Sequence, residues 1–140
     1  VAVGGTHFVQ TLFWSPDVLL AGAAVGSLNT AILVVNNLRD VETDARIGKR
    51  TLAVRLGPTL TKAEFGLLIL VALVAPVVGV LFFDWPMASL LALIAAPFCR
   101  EPLHTVATCS NPLELIPALG ATAKVVAIYG LGLALGLGLG

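Results

Sequence analysis

The uneven distribution of charge is the feature that most constrains how this chain can fold. Residues 18–38 and 65–83 contain no charged side chain, and each run is close to the ~20 apolar residues needed to cross a bilayer. Across all 140 residues, 58% are hydrophobic and 11% are charged, whereas a soluble domain has roughly 25% charged residues. We therefore predict an all-α membrane protein built as a transmembrane helical bundle.

Turn sequences and prolines divide the chain into five membrane segments, the first of them partial. We predict these segments over residues 1–14, 18–38, 65–83, 86–105 and 117–139. The breaks between them contain the turn-forming sequences Ser15-Pro16-Asp17, Asp84-Trp85-Pro86 and Ser110-Asn111-Pro112. Because Val1 already lies in an apolar run, we expect the chain to begin inside a membrane helix.

The polar segment over residues 39–61 sets the expected orientation. Of the eight acidic and eight basic side chains, ten lie between Arg39 and Glu64. Cytoplasmic loops of membrane proteins carry an excess of Lys and Arg. With this loop on the cytoplasmic side, seven of the eight basic residues face the cytoplasm, and neither outer turn has one. The net charge of zero gives no electrostatic reason to expect nucleic-acid binding.

An oxygen-rich patch ends the second segment. Asn36, Asp40 and Asp44 stand four residues apart, so on a helix their side chains lie on one face. Carboxylate and amide oxygens suit a hard divalent cation, and such a cation suits a phosphorylated substrate. Acids at the C-terminus of a helix oppose its dipole, and a bound cation would offset this. The alternative is a solvated helix end, and Arg39 could form a structural ion pair there.

A basic segment follows the acids directly, in Arg46, Lys49, Arg50 and Arg55. Acids followed by bases are the pattern that a Mg²⁺-diphosphate site needs, because the cation and the basic side chains together balance the charge of the diphosphate. Arg46 and Arg55 could equally contact lipid phosphates.

The sequence from Asn36 to Asp44, together with that from Gly48 to Gly57, resembles the second aspartate-rich motif of the UbiA superfamily of intramembrane aromatic prenyltransferases. It is most similar to the MenA branch, which prenylates 1,4-dihydroxy-2-naphthoate in menaquinone synthesis. Residues 1–11 and 120–124 are also similar to that branch. The resemblance implies that residues 1–140 are the C-terminal part of one prenyltransferase domain. They would form half of a nine-helix bundle in a bacterial plasma membrane.

The resemblance also implies an activity and a cofactor. The activity is Mg²⁺-dependent transfer of a polyprenyl group from polyprenyl diphosphate to the aromatic acceptor, with loss of CO₂, giving demethylmenaquinone. Asn36, Asp40 and Asp44 would hold Mg²⁺. Lys49 and Arg50 would act with the two aspartates in catalysis, by neutralising the departing diphosphate. The implied substrate-binding residues are Asn36, Asn37, Arg46, Asn29, Gln10 and Lys124.

The outlying candidates are open to more than one interpretation. Gln10 shares a helix face with His7, and both could make polar contacts between helices instead of lining an acceptor pocket. Asn29 lies seven residues before Asn36 on the same helical stripe, so we expect it to face the cavity. Lys124 could bind the acceptor carboxylate or the diphosphate, or it could extend its amine to the membrane interface.

The first aspartate-rich motif of the family is absent from this sequence. We therefore expect the chain to be inactive, or nearly so, on its own, and to need the missing N-terminal half or an oligomeric partner. One alternative is a UbiA-type enzyme for another aromatic acceptor. A second is a non-enzymatic membrane protein or transporter fragment, in which Asn29 and Lys124 would mark an ion path.

Overall fold

The structure, a computed structural model, describes residues 2–139, and helices account for most of them. No strand occurs within this range, so the prediction of an all-α bundle is confirmed. Six α-helices and two 3₁₀ helices follow one another along the chain. They are α1 (Ala2–Thr11), α2 (Pro16–Arg39), α3 (Val41–Arg46), α4 (Leu52–Phe82), a long 3₁₀ segment (Met87–Cys99), α5 (Arg100–Thr108), a short 3₁₀ turn (Pro112–Glu114) and α6 (Leu115–Gly138).

Three helical stretches are long and apolar enough to cross a membrane. They are Pro16–Arg39, Leu52–Phe82 and Pro112–Gly138. Large apolar side chains such as Leu67 and Leu81 lie on the outer face of α4. The hydrocarbon region of a bilayer is the environment in which such a surface is favourable. The chain is therefore a multi-pass membrane protein.

Helix α4 begins well before the predicted span over residues 65–83. The Thr51 hydroxyl caps its first turn by accepting a hydrogen bond from a backbone amide at 3.3 Å. Gly57, with φ of 78°, then interrupts the helix, and the Thr61 hydroxyl donates to the Gly57 carbonyl at 2.8 Å. The polar segment predicted over residues 39–61 is largely helical. It contains α3, and Thr51 caps the start of α4 inside it.

The segment predicted as a span over residues 86–105 is helical but changes type. Met87–Cys99 forms the long 3₁₀ segment, and Arg100–Thr108 continues directly as α5. A 3₁₀ helix rises by ~2 Å per residue, against 1.5 Å for an α-helix. The 3₁₀ form therefore extends the segment further than an α-helix of the same length would reach.

Two glycines of α6 allow it to pack directly against the backbone of the 3₁₀ segment. A Cβ added at Gly132 would lie 2.7 Å from the carbonyl oxygen of Leu91. A Cβ added at Gly136 would overlap the backbone of Ala88 and Ser89. Small residues four positions apart are the usual means by which membrane helices approach closely. We refer to the 3₁₀ segment and α6 as the packed hairpin.

A buried tyrosine hydroxyl compensates for a proline inside α4. Pro76 has no amide hydrogen, so it cannot bond to the carbonyl of Ala72, four residues earlier. The hydroxyl of Tyr129 in α6 donates to that carbonyl at 2.7 Å, and Tyr129 is fully buried. An unpaired carbonyl costs free energy where no water reaches it. This bond therefore makes Pro76 tolerable and joins α4 to α6.

Candidate metal and diphosphate site

The Asp-rich motif lies where α2 ends and α3 begins. Asp40 joins the two helices with φ of −96° and ψ of 5°. Its amide still donates to the Asn36 carbonyl at 3.1 Å, and the Asp44 amide donates to the Asp40 carbonyl at 2.8 Å. These bonds run through the junction, so the three predicted metal ligands occupy successive helical turns.

Asp40 is paired with the residue before it. The Nε and Nη2 atoms of Arg39 donate to the two carboxylate oxygens of Asp40, both at 2.8 Å. This two-point bond holds the pKa of Asp40 below its ordinary value, so the carboxylate is ionised at neutral pH. The Asp40 side chain is still 43% exposed. Arg39 is therefore its counter-ion, and an additional cation can reach the carboxylate.

A turn that depends on glycine brings Lys49 back onto Asp44. The Lys49 amide donates to the Asp44 carbonyl at 2.9 Å, and the Gly48 amide donates to the Ala45 carbonyl at 3.2 Å. These two bonds form a Schellman motif, which satisfies the last carbonyls of a helix. Gly48 has φ of 76°, which is strained for residues with a Cβ. The reversal of the chain sets the Lys49 side chain against that of Asp44.

The Asp44 carboxylate is buried and only partly satisfied. Its side chain is 7% exposed, whereas that of Lys49 is 57% exposed, and the Lys49 Nζ lies 3.1 Å from each carboxylate oxygen. Oδ1 accepts a hydrogen bond from this amine. Oδ2 is within ion-pair distance, but no residue in the described range makes a hydrogen bond to it. Buried polar atoms are normally bonded, so Oδ2 has room in its coordination for another partner.

Oxygen donors of this kind suit a hard divalent cation. The motif offers the buried Oδ2 of Asp44, which lacks a hydrogen bond, the accessible carboxylate of Asp40 and the amide of Asn36. Between residues 2 and 139, no group of three or more acidic, His or Cys side chains converges. Mg²⁺ commonly binds through one or two carboxylates and takes its other ligands from water and substrate phosphates. Asp40 and Asp44 are the carboxylates that this part of the chain contributes to such a site.

The remaining basic residues of the loop are exposed. Arg46 Nη2 lies 3.6 Å from Glu42 Oε2, with both side chains at least 74% exposed, so this pair contributes little to stability. Arg50 and Arg55 are also exposed, and neither forms an ion pair within the described residues. The loop thus presents several cations that an anionic ligand can reach.

The two other asparagine candidates lie along α2. Asn37 lines a cleft of about 150 Å³ between α2 and α4, together with Thr61 and Glu64. Asn29 is exposed, and its Nδ2 donates to a carbonyl of its own helix at 2.9 Å. Asn29 therefore lies on the outer surface of the described bundle, and this hydrogen bond stays within α2.

Gln10 and Lys124 are separate from the aspartates. Gln10 is exposed on α1, where the His7 ring contacts the Thr11 hydroxyl at 3.3 Å. Lys124 is exposed on α6, and its Nζ lies 4.8 Å from the centre of the Phe98 ring. In the part of the chain that the structure describes, no hydrogen bond or ion pair joins Gln10 or Lys124 to the Asp-rich motif.

Sequence reasoning missed three residues that shape these surroundings. Gly48 stands two positions after the end of α3, which is a recognised C-cap position, so local sequence could have identified it. Glu64 lines the cleft beside Asn37, and it does so because α4 begins early enough to include it. Phe98 contacts Lys124 from a different helix, and no spacing rule connects the two residues.

Comparison with known proteins identifies the class of membrane protein to which these features belong. The sequence pattern of the UbiA prenyltransferase family matches residues 1–114. This match covers most of the chain and defines its class as a prenyltransferase family. The chain belongs to the UbiA prenyltransferase family, as the resemblance predicted.

Several curated relatives share the name 1,4-dihydroxy-2-naphthoate octaprenyltransferase. The Mycobacterium tuberculosis protein is 38% identical over 140 residues, which is 100% of this chain and 47% of the relative. The Haemophilus influenzae protein is 31% identical, with 100% and 46% covered. The Escherichia coli protein is 32% identical over 137 residues, with 98% and 44% covered. The chain spans about half the length of these relatives and corresponds to their C-terminal half. No solved structure matches it significantly.

Proposed function

We propose that this chain supplies one diphosphate-binding half of a membrane prenyltransferase that acts on 1,4-dihydroxy-2-naphthoate. The observation that carries the proposal is the buried Asp44 carboxylate, which has one oxygen without a hydrogen bond beside an exposed, basic loop. The family membership and the names of the relatives support both the prenyl donor and the acceptor. The donor would be a polyprenyl diphosphate.

In this proposal Asn36, Asp40 and Asp44 hold Mg²⁺. When bound, the ion supplies positive charge that stabilises the diphosphate as it leaves. Lys49 and Arg50 bind the diphosphate from the loop. Lys49 is 57% exposed, so its amine can turn from Asp44 to a phosphate oxygen without crossing buried structure.

The reaction has a simple balance of bonds. The carbon–oxygen bond to the diphosphate breaks and leaves a prenyl cation, which the electron-rich ring of the acceptor attacks to form a carbon–carbon bond. Loss of the carboxylate as CO₂ returns its bonding pair to the ring. The product is the reduced form of demethylmenaquinone, and no oxidant is needed.

We further propose that activity requires a second set of ligands. The first aspartate-rich motif of the family is absent from this sequence, and the relatives are about twice as long as this chain. The N-terminal half of a relative, supplied as a separate chain, is the natural source of the remaining ligands.

Co-expression provides the test. This chain would be produced in membranes alone and together with the N-terminal half of the Mycobacterium tuberculosis relative, then given Mg²⁺, a polyprenyl diphosphate and 1,4-dihydroxy-2-naphthoate. We expect prenylated product only from the pair, and its loss in the Asp44→Asn variant. Glu42→Gln, which changes an exposed acid two residues away, is the matched control and should retain activity. Product from this chain alone would refute the need for a partner, and no product under any metal would refute the enzyme.

The acceptor and the orientation are tested separately. Substituting 4-hydroxybenzoate for the naphthoate should abolish product, and equal turnover would favour the other acceptor.

We also propose that the Asp-rich loop faces the cytoplasm. With Cys99 and Cys109 changed to Ser, a membrane-impermeant maleimide applied to intact cells should label Met87→Cys, which lies directly after the outer turn. It should label Ile47→Cys only after the membrane is opened, and the reverse pattern would contradict this orientation.

A further inference from the structure

Lys124 is a charged side chain on a helix that is otherwise suited to the membrane interior. It lies in the candidate span Pro112–Gly138 and is exposed. No acidic side chain in the described part of the chain forms an ion pair with it. Its Nζ instead lies 4.8 Å from the centre of the Phe98 ring. Charged residues inside membrane spans are costly and usually mark a binding or transport site.

The surface beside Lys124 on α6 consists of small, exposed residues. Gly120 and Ala127, four residues before and three residues after it on α6, share its face of the helix. Both are small and exposed, and a Cβ added at Gly120 would contact nothing within 4 Å. Phe98 is 38% exposed. These four residues form an open surface, here named the Lys124 recess, with a cation, an aromatic face and no bulky side chain over it.

We propose that the Lys124 recess binds the aromatic acceptor, and this rests on the proposed function above. A hydroxynaphthoate has a flat aromatic ring system and a carboxylate attached to it. The Lys124 ammonium is complementary to the carboxylate, and the part of the Phe98 ring that the amine leaves uncovered is complementary to the ring of the acid. The Asp-rich motif, which holds no aromatic side chain, would bind the other substrate. Lys124 is thus the residue that selects an acceptor carrying a carboxylate.

A lipid phosphate is the competing ligand for an exposed lysine, and two features favour the aromatic acid. Lys124 stands nine positions after the first residue of α6, Leu115, which is about 13 Å along a helix. Phospholipid headgroups lie at the membrane surface, whereas a flat aromatic acid can enter the apolar region. In addition, the amine rests on Phe98, and lipid headgroups do not require an aromatic partner.

Binding can be measured without turnover. The full chain, in nanodiscs of zwitterionic phosphatidylcholine, would be titrated with fluorescent 1-hydroxy-2-naphthoate and, in parallel, with 1-naphthol, which lacks the carboxylate. We expect Lys124→Met to weaken naphthoate binding about tenfold or more and to leave naphthol binding unchanged. Lys124→Arg should retain binding, because it keeps the charge. Phe98→Leu should weaken both ligands.

Arg100→Met is the matched control. It also removes an exposed cation from the neighbouring helix, close to Phe98 in sequence, and it should leave naphthoate binding unchanged. Equal losses in Lys124→Met and Arg100→Met would overturn the proposal by indicating a general effect of charge. A variant that fails to fold is identified by its circular dichroism. If Lys124→Met fails to fold, Lys124→Gln, which also removes the charge, replaces it with the same expected loss of naphthoate binding.

Two further outcomes separate this inference from the proposed function. If the wild-type chain binds farnesyl diphosphate in a Mg²⁺-dependent manner but does not bind the naphthoate, the Lys124 recess is not the acceptor site, while the diphosphate site stands. If it binds neither ligand, both proposals fail. If Lys124→Met loses affinity for phosphatidylglycerol and not for the naphthoate, the lysine is a lipid contact and the inference is refuted.

Discussion

The packed hairpin and the Asp-rich loop are stabilised in opposite ways. In the hairpin, α6 lies directly on the backbone of the 3₁₀ segment at Gly136, and Tyr129 ties α6 to α4 through a hydroxyl bond to a carbonyl. In the loop, Arg39 and Lys49 pair with aspartates that lie next to them or five residues before them. The groups that form the hairpin contacts have no other partner to bind, whereas the charged side chains of the loop can exchange one partner for another.

The contrast follows from the surroundings of each region. Inside a bilayer no water can take the place of a lost partner, so close packing and complete backbone bonding are required. At the membrane surface, water and ions compete with exposed pairs such as Arg39–Asp40 and Arg46–Glu42, and such a pair contributes ~0–1 kcal/mol. We infer that the hairpin determines stability and that the loop is adapted to change partners when a ligand arrives.

The largest effect should come from filling the closest contact in the hairpin. In Gly136→Ala the new methyl group would overlap the backbone of Ala88 and Ser89, so α6 must move away from the 3₁₀ segment. We expect a loss of about 1–3 kcal/mol in the free energy of unfolding, measured by denaturant titration in mixed micelles. Gly130→Ala is the control, because its Cβ would meet nothing within 4 Å. Equal destabilisation by both substitutions would contradict the close contact.

The next effect concerns the bond that joins α4 to α6. Tyr129→Phe leaves the Ala72 carbonyl without a partner, and we expect a loss of about 0.6–1.7 kcal/mol, the range of hydrogen bonds between membrane helices. Pro76→Ala restores an amide that can bond to the same carbonyl within α4. The cost of Tyr129→Phe should therefore be smaller in the Pro76→Ala background, as a double-mutant cycle would measure. An unchanged cost would mean that the hydroxyl does not compensate for the proline.

The same contrast explains which features could be predicted from the sequence. Uncharged runs and turn residues act locally, so they indicated the all-α class, the position of α2 and the Asp-rich motif. The hydrogen bond from Tyr129 to the Ala72 carbonyl, which Pro76 leaves without a partner, joins residues far apart in the chain. The hydropathy of the sequence does not indicate it. The span over residues 65–83 was predicted from the uncharged run, which Lys62 and Glu64 limit. The helical turns of α4 before this run were not predicted, although Thr51 is a capping residue.

The site was predicted in part for similar reasons. The four-residue spacing of the acids is visible in the sequence, and so is the basic segment that follows it. The direction in which Lys49 returns to Asp44 depends on the positive φ of Gly48. The contact between Lys124 and Phe98 depends on how α6 packs against the 3₁₀ segment, and local signals do not encode that arrangement.

A smaller effect should come from the turn that positions Lys49. Gly48→Ala places a Cβ in the left-handed region, where the strain costs about 1 kcal/mol. We expect weaker pairing between Lys49 and Asp44 and a modest fall in stability. Gly48→Asn is the matched control, because asparagine tolerates this conformation better. Manganese titration followed by electron paramagnetic resonance would report any change at the aspartates. If Ala and Asn behaved alike, the backbone conformation would not be what positions Lys49.

The smallest effect should be the pH dependence of the Arg39–Asp40 pair. Pairing lowers the pKa of Asp40 in the folded protein, so its contribution to stability is fully present above the unfolded pKa, about 3.9. That contribution is lost as the pH falls through the lower folded value. Because the Asp40 side chain is 43% exposed, solvent screening keeps it below about 1 kcal/mol. The difference in Tm between wild type and Arg39→Gln should be small at pH 7 and should vanish once the pH lies below the folded pKa of Asp40. Arg46→Gln, which breaks only an exposed pair, should change Tm less at pH 7. An Arg39→Gln difference that grew on acidification would show that the arginine acts through packing and not through the carboxylate.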